Sequence, residues 1–136
     1  MKRFLFISLC CSLLVLAGCS TSSKTTGTID LIGEWSILSA NGMSTAEGMT
    51  PAFIAFDSIG NVHGNASVNY FFGGYILSGD SLSFSSMGMT RMMGPNIEIE
   101  DAVIDAINHI ATVRVDADTA TLYNISGEPI MLWQKR

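Results

Sequence analysis

The sequence predicts a mainly β domain of the α+β kind: a small antiparallel barrel or curled sheet of about eight strands with one helix packed on it. Two observations lead there. Short apolar or alternating runs recur between Gly, Asn, Asp and Ser turn signals, and one segment, 97–110, switches to helical spacing. Neither an internal repeat nor a second domain is visible in the rest of the chain.

The first element is a leader. Lys2 and Arg3 precede an apolar run from Phe4 to Ala17, which ends in Gly18-Cys19. A basic start, a short apolar stretch and a small-residue exit are the parts of a secretory signal. The run is too short to span a bilayer, which takes about 20 residues. Leu16-Ala17-Gly18-Cys19 resembles a bacterial lipobox, so Cys19 is expected to become the lipid-bearing first residue. Bacterial lipoproteins of that kind carry several acyl chains, a stable anchor where a single chain is marginal. Ser20 is not the aspartate that retains such proteins in the inner membrane, so the expected address is the outer membrane, facing the periplasm. Cys10 and Cys11 fall in the discarded leader.

Residues 1–18 are thus a signal peptide, 19–29 a polar flexible tether containing "STSSKTTGT", and 30–136 the folding domain. Losing Lys2 and Arg3 reduces the 7 basic residues to 5 against 12 acids, a net charge of −7. No basic patch remains to hold a phosphate backbone, which excludes nucleic acid as a partner. Of the 3 cysteines only Cys19 survives processing. The domain therefore has no disulfide of its own in an oxidising compartment.

Within the domain, "LIGEWSIL" (31–38) contains the first strand, with Leu31, Gly33, Trp35 and Ile37 on the inward face. "FIAF" (53–56) is apolar throughout and suits burial on both faces. Asp57 to Asn61, with Gly60-Asn61, turns the chain into 62–65. "YFFGGYIL" (70–77) follows, and Gly79-Asp80 turns it into "SLSF" (81–84), whose alternation marks a half-exposed strand. Ile99, Val103, Ala106, Ile107 and Ile110 then recur at helical spacing over 97–110. Asn96 is the expected N-cap, and Glu98, Glu100 and Asp101 suit the positive end of the helix dipole. "TVRVD" (112–116), "ATLYNI" (120–125) and "IMLWQ" (130–134) close the chain, separated by Asp118-Thr119 and Ser126–Pro129.

Several residues could carry chemistry. Asp57, Ser58 and His63 supply the residue types of a hydrolase triad, but they flank a turn and the serine has no Gly-framed elbow. Glu98, Glu100, Asp101 and Asp105 could attract calcium, yet a helix spreads them over a solvated face without EF-hand spacing. Two distant histidines give no zinc pattern. Met87, Met89, Met92 and Met93 form a thioether cluster of the kind that selects Cu(I), although methionine also fills gaps in cores. Asp57-Ser58-Ile59, Asp80-Ser81-Leu82 and Asp118-Thr119-Ala120 resemble O-glycosylation tripeptides, and all three sit at expected turns. No cofactor is expected.

The order of motifs resembles the META/HslJ-like family. Gly33-Glu34-Trp35 is similar to its Gly-x-Trp strand; "VNYFFGGY" matches its central segment through Asn69, Phe71, Gly73 and Tyr75; "MTRMMG" matches a third motif through Thr90, Arg91 and Met92. The resemblance implies a small antiparallel β domain, often an envelope lipoprotein, linked in different members to heat shock, antibiotic tolerance, motility or secretion, without a shared catalytic activity. Family members carry cysteines where this chain has Val68 and Gly94, which implies that those two positions are neighbours. The expected function is a non-catalytic, lipid-anchored envelope module for binding, assembly or stress tolerance, which engages a protein or small apolar ligand through a rim or groove, for which the aromatic-rich "NYFFGGY" is a candidate surface. Alternatives are an inhibitor of an incoming hydrolase, a copper-binding lipoprotein and a hydrolase.

Overall fold

The computed structural model describes residues 27–136. The expected signal peptide, the expected lipid site Cys19 and most of the expected tether lie outside the described residues.

One antiparallel sheet makes up almost the whole domain. Its strands are β1 (Gly33–Ala40), β2 (Met43–Ser44), β3 (Phe53–Phe56), β4 (Asn61–Asn65), β5 (Tyr70–Ser78), β6 (Ser81–Met89), β7 (Thr112–Asp116), β8 (Thr119–Tyr123) and β9 (Pro129–Lys135), with the helix α1 (Ile97–His109) between β6 and β7. The order runs β2-β1-β3-β4-β5-β6-β7-β8-β9, and β1 also pairs with β9, so the sheet curls into a ring. The anticipated curled sheet with one helix is what forms, with one further strand, the two-residue β2. It had no apolar run to announce it; it exists because the Asn41-Gly42 turn folds Met43 back beside Ala40.

The core fills the ring. Trp35, Ile37, Ile54, Phe56, Phe71, Leu82, Leu122 and Trp133 meet there, and α1 adds Val103, Ala106 and Ile107. Trp35 is 1 % exposed, and its indole N–H donates to the Leu31 carbonyl at 2.9 Å. A bulge between Ile37 and Ser39 in the pairing with β9 then switches the inward face of β1 to Ala40. "FIAF" is buried from Ile54 to Phe56, with Phe53 half-buried.

Two segments depart from expectation. β6 runs to Met89 rather than ending at Phe84, because its serine- and glycine-rich second half is held by the ladder to β5, at Phe71↔Met89 and Phe72↔Gly88. Asn96 stands at the N-cap but does not cap. Its backbone is left-handed (φ 53°), a conformation asparagine tolerates, and its side-chain amide donates to the Glu47 carbonyl at 2.7 Å. The acidic first turn and His109 at the far end stand as anticipated. Among the described residues no helix is long and apolar enough to cross a membrane.

The ring has one weak seam. β6 and β7 pair only at Ser81↔Thr112, and further along β6 it is α1 that faces Met87, Gly88 and Met89 across a cleft. Every other neighbouring pair of strands except the short β1–β2 contact shares four or more register positions.

Candidate functional site

The seam is where the chain's most unusual side chains converge. The β4–β5 connection, Asn65 to Asn69, is buried, which is rare for a loop and demands internal hydrogen bonds. Asn65 Oδ1 accepts from the Ser67 N–H at 2.8 Å, and the Ser67 hydroxyl accepts from the Met49 N–H at 2.9 Å. Ser67 has φ 112°, a conformation that is strained for a residue with a side chain.

Glu100 holds the next two residues. It was expected on a solvated helix face; instead it is 5 % exposed. Oε2 accepts from the N–H of Val68 at 3.2 Å and of Asn69 at 2.6 Å, while Oε1 accepts from Asn69 Nδ2 at 2.8 Å. A buried carboxylate is tolerated because main-chain and amide donors replace its water. The calcium reading of the acidic group therefore loses Glu100 to a structural role. Among the described residues no three His, Cys, Asp or Glu side chains come together as a metal site.

Asn69 completes the junction, using all four of its side-chain hydrogen-bonding positions. Nδ2 donates to Glu100 and to the Met92 carbonyl at 2.9 Å. Oδ1 accepts from the Thr90 hydroxyl at 2.8 Å and from the Met92 N–H at 2.6 Å. A single amide thus ties β5 to the "TRM" segment and to α1.

The other motif residues divide between scaffold and surface. Gly33 adopts φ 107°, which favours glycine. The β5–β6 register shifts between Phe72↔Gly88 and Gly74↔Ser85, a bulge in β6 opposite Gly73. A Cβ at Gly73 would meet Met87 Sδ at 2.5 Å and the Ser85 carbonyl at 2.9 Å, so only glycine admits it. Phe71 is in the core. The Tyr75 hydroxyl donates to the Asp57 carbonyl at 2.6 Å; burial first, then the Asp57 and Asp30 charges, raise its pKa. Arg91 is exposed, and among the described residues it makes no ion pair.

Between β6 and α1 these residues floor two adjoining clefts. One, of about 300 Å³, is lined by Asn69, Thr90, Met92, Ile97, Glu100 and Asp101. The other, of about 380 Å³, is lined by Phe71, Met87, Gly88, Ile107 and Asn108. Met89, Arg91 and Ile104 border both, so the two form one groove. The methionines do not act alike: Met87 and Met89 pack half-buried against the core, whereas Met92 and Met93 project outward, 52 % and 88 % exposed.

The hydrolase triad does not assemble. Asp57 Oδ1 accepts from the Ile59 and Asn61 N–H groups at 3.0 and 2.8 Å, and Oδ2 from Asn61 Nδ2 at 2.8 Å. These bonds, the Asn61 main-chain N–H foremost, lower its pKa. His63 stands on the outer sheet face with its ring edge-on to Phe53. The three Asp-Ser/Thr tripeptides all lie at hairpin turns.

Gly94 lies against Val68. A Cβ built there would be 2.9 and 3.0 Å from the two Val68 methyl carbons. That matches the separation of about 3 Å from Cβ to the far sulfur across a disulfide.

Solved structures share this architecture. A protein solved by NMR matches with TM-score 0.62 and 23 % identity, over 77 % of this chain and 90 % of that one. A Burkholderia xenovorans protein, also solved by NMR, matches with TM-score 0.59 and 25 % identity, over 78 % and 83 %. A DUF4847 family protein from Bacteroides vulgatus matches with TM-score 0.58 and 12 % identity, over 79 % and 95 %. No curated protein matches. The META domain family model matches residues 29–136. With a family match that spans the folded domain, this chain belongs to the META domain family.

Proposed function

We propose that the domain is a non-catalytic binding module, held to the periplasmic face of the outer membrane through lipid on Cys19, and that the groove between β6 and α1 is its binding surface. The observation that carries this reading is the groove's construction. Its floor is tied by the Asn69 hydrogen bonds, and its walls present Met87, Met89, Ile104 and Ile107 beside the exposed Arg91. A concave apolar lining with a few fixed polar groups is what a ligand or partner site requires. The aromatic stretch expected as the contact surface contributes only part of it: Asn69 and Phe71 line the groove, while Tyr70 and Phe72 lie exposed outside it.

The anchor is tested by fractionation and labelling. The wild-type protein should sediment with membranes and incorporate labelled palmitate. Cys19→Ala should be released or remain unprocessed, without label. A Cys19→Ala protein that is processed normally and stays membrane-bound contradicts the anchor.

A further inference from the structure

The groove has a main-chain bank as well as a side-chain one. The Leu82 N–H crosses the seam to the Ala111 carbonyl at 3.1 Å, and the Asp80 carbonyl accepts from Val113 at 2.9 Å. By the alternation of an antiparallel ladder, the N–H and C=O of Phe84 point to the same side. Beyond the bulge, the Thr90 N–H turns back to the Tyr70 carbonyl at 3.0 Å, so the main-chain groups of Met87 and Met89 point to the seam. Among the described residues those of Phe84, Met87 and Met89 have no strand partner there, because β7 has already left β6 after Ser81↔Thr112. Elsewhere the strands are paired along most of their length, apart from the short β2 and the end of β5 beyond Gly74, which outruns β4.

Resting on the binding-module reading, we infer that the groove takes an extended polypeptide segment of a partner, which adds to the free edge of β6 and sends alternate apolar side chains towards Met87, Met89, Ile104 and Ile107. An unpaired row of donors and acceptors is satisfied by an extended backbone and not by an apolar small molecule. Ser83–Met89 offers about 20 Å of edge, enough for a segment of ordinary strand length. The helix on the opposite bank selects one chain over a folded body. A second copy joined edge to edge would bring its own α1 against this one.

The test uses residues 20–136, the folded domain with its expected tether, a random heptapeptide library selected on it, and the tightest peptide then titrated by amide NMR and hydrogen exchange. The Met87 and Met89 amides should exchange freely without peptide and become protected with it. Met89→Pro, which removes one seam-facing donor, should weaken the peptide about tenfold more than Met89→Ala does, the size of one well-made bond. Proline is tolerated on a strand edge whose N–H is unpaired, so Met89→Pro should keep a melting temperature close to that of Met89→Ala. Four results would overturn the inference. No peptide is selected; or the peptide binds Met89→Pro and Met89→Ala equally; or Met89→Pro alone unfolds, which means the N–H was already bonded; or a concentration-dependent dimer forms that Met89→Pro abolishes, which assigns the edge to a second copy. If binding is lost in Ile104→Lys but indifferent to Met89→Pro, strand addition fails while the groove stands. If Ile104→Lys is also without effect, the groove reading fails with it.

Discussion

The Asn69 N–H and the Glu100 carboxylate meet at 2.6 Å, and the Asn69 side-chain amide meets the same carboxylate at 2.8 Å. This two-point contact joins the start of β5 to the first turn of α1, with both residues buried. Through the further Asn69 bonds to Thr90 and Met92, the same junction ties the helix to the segment that follows β6, at one end of the groove.

Asn69→Ala strands one buried carboxylate oxygen, the Thr90 hydroxyl and both main-chain groups of Met92. The expected loss is about 2–4 kcal/mol, read by urea unfolding, since each abandoned buried partner costs its desolvation. Glu100→Gln keeps the shape but turns one acceptor into a donor facing donors, and should also destabilise. A loss below about 0.5 kcal/mol for Asn69→Ala would mean that water replaces the amide.

Trp35→Ala removes the largest inward side chain of β1 and the bond to Leu31. It should cost about 3–5 kcal/mol, enough to unfold a domain of ordinary stability. A shift of only a degree or two in melting temperature contradicts the packing described.

Val68→Cys with Gly94→Cys should form a disulfide in air without disturbing the fold, because a Cβ at Gly94 lies within 3.0 Å of both Val68 methyl carbons. Stabilisation of about 2–4 kcal/mol, abolished by reductant, is expected. The wild-type melting temperature should be indifferent to reductant. Two free thiols after air oxidation would refute the proximity.

Asp57 is tied to its own turn, and the Asn61 main-chain N–H first among several donors holds its pKa below the ordinary aspartate range. A depressed folded-state pKa means that the stabilisation is fully present above the unfolded value and is lost as pH falls through the folded one. Wild-type stability should therefore decline on acidification in part through Asp57, and Asp57→Asn should flatten that part of the profile. An unchanged profile in Asp57→Asn removes the turn's role.

The fold was legible because the sheet depends on periodicity and turn chemistry, both local. Trp35 and Ile37 alternate inward as their spacing requires, and Gly60, Gly79 and Gly127 take the positive φ that their turns need. Glu100 was misplaced by its company. Among Glu98, Asp101 and Asp105 it reads as one more solvated acid, yet it stands three residues before Val103 and seven before Ile107, on the apolar stripe. A carboxylate inside a helix's apolar stripe signals a buried partner, and that signal was in the sequence. The partner was not legible, because Asn69 lies 31 residues away and only the closed ring brings it there. The seam was equally hidden, since it depends on where β7 leaves β6 and not on any composition.

The most direct measurement is site-specific photocrosslinking in living cells of the native host. One photoreactive residue replaces Asn108, exposed at the groove, and another replaces Ile32, exposed beyond the start of β1 and away from the clefts. A binding module that uses the β6–α1 groove predicts a discrete adduct from position 108, absent from position 32 and lost when Ile104→Lys is added. Adducts from position 32 alone, or from position 108 regardless of Ile104→Lys, would place the binding surface elsewhere on the domain.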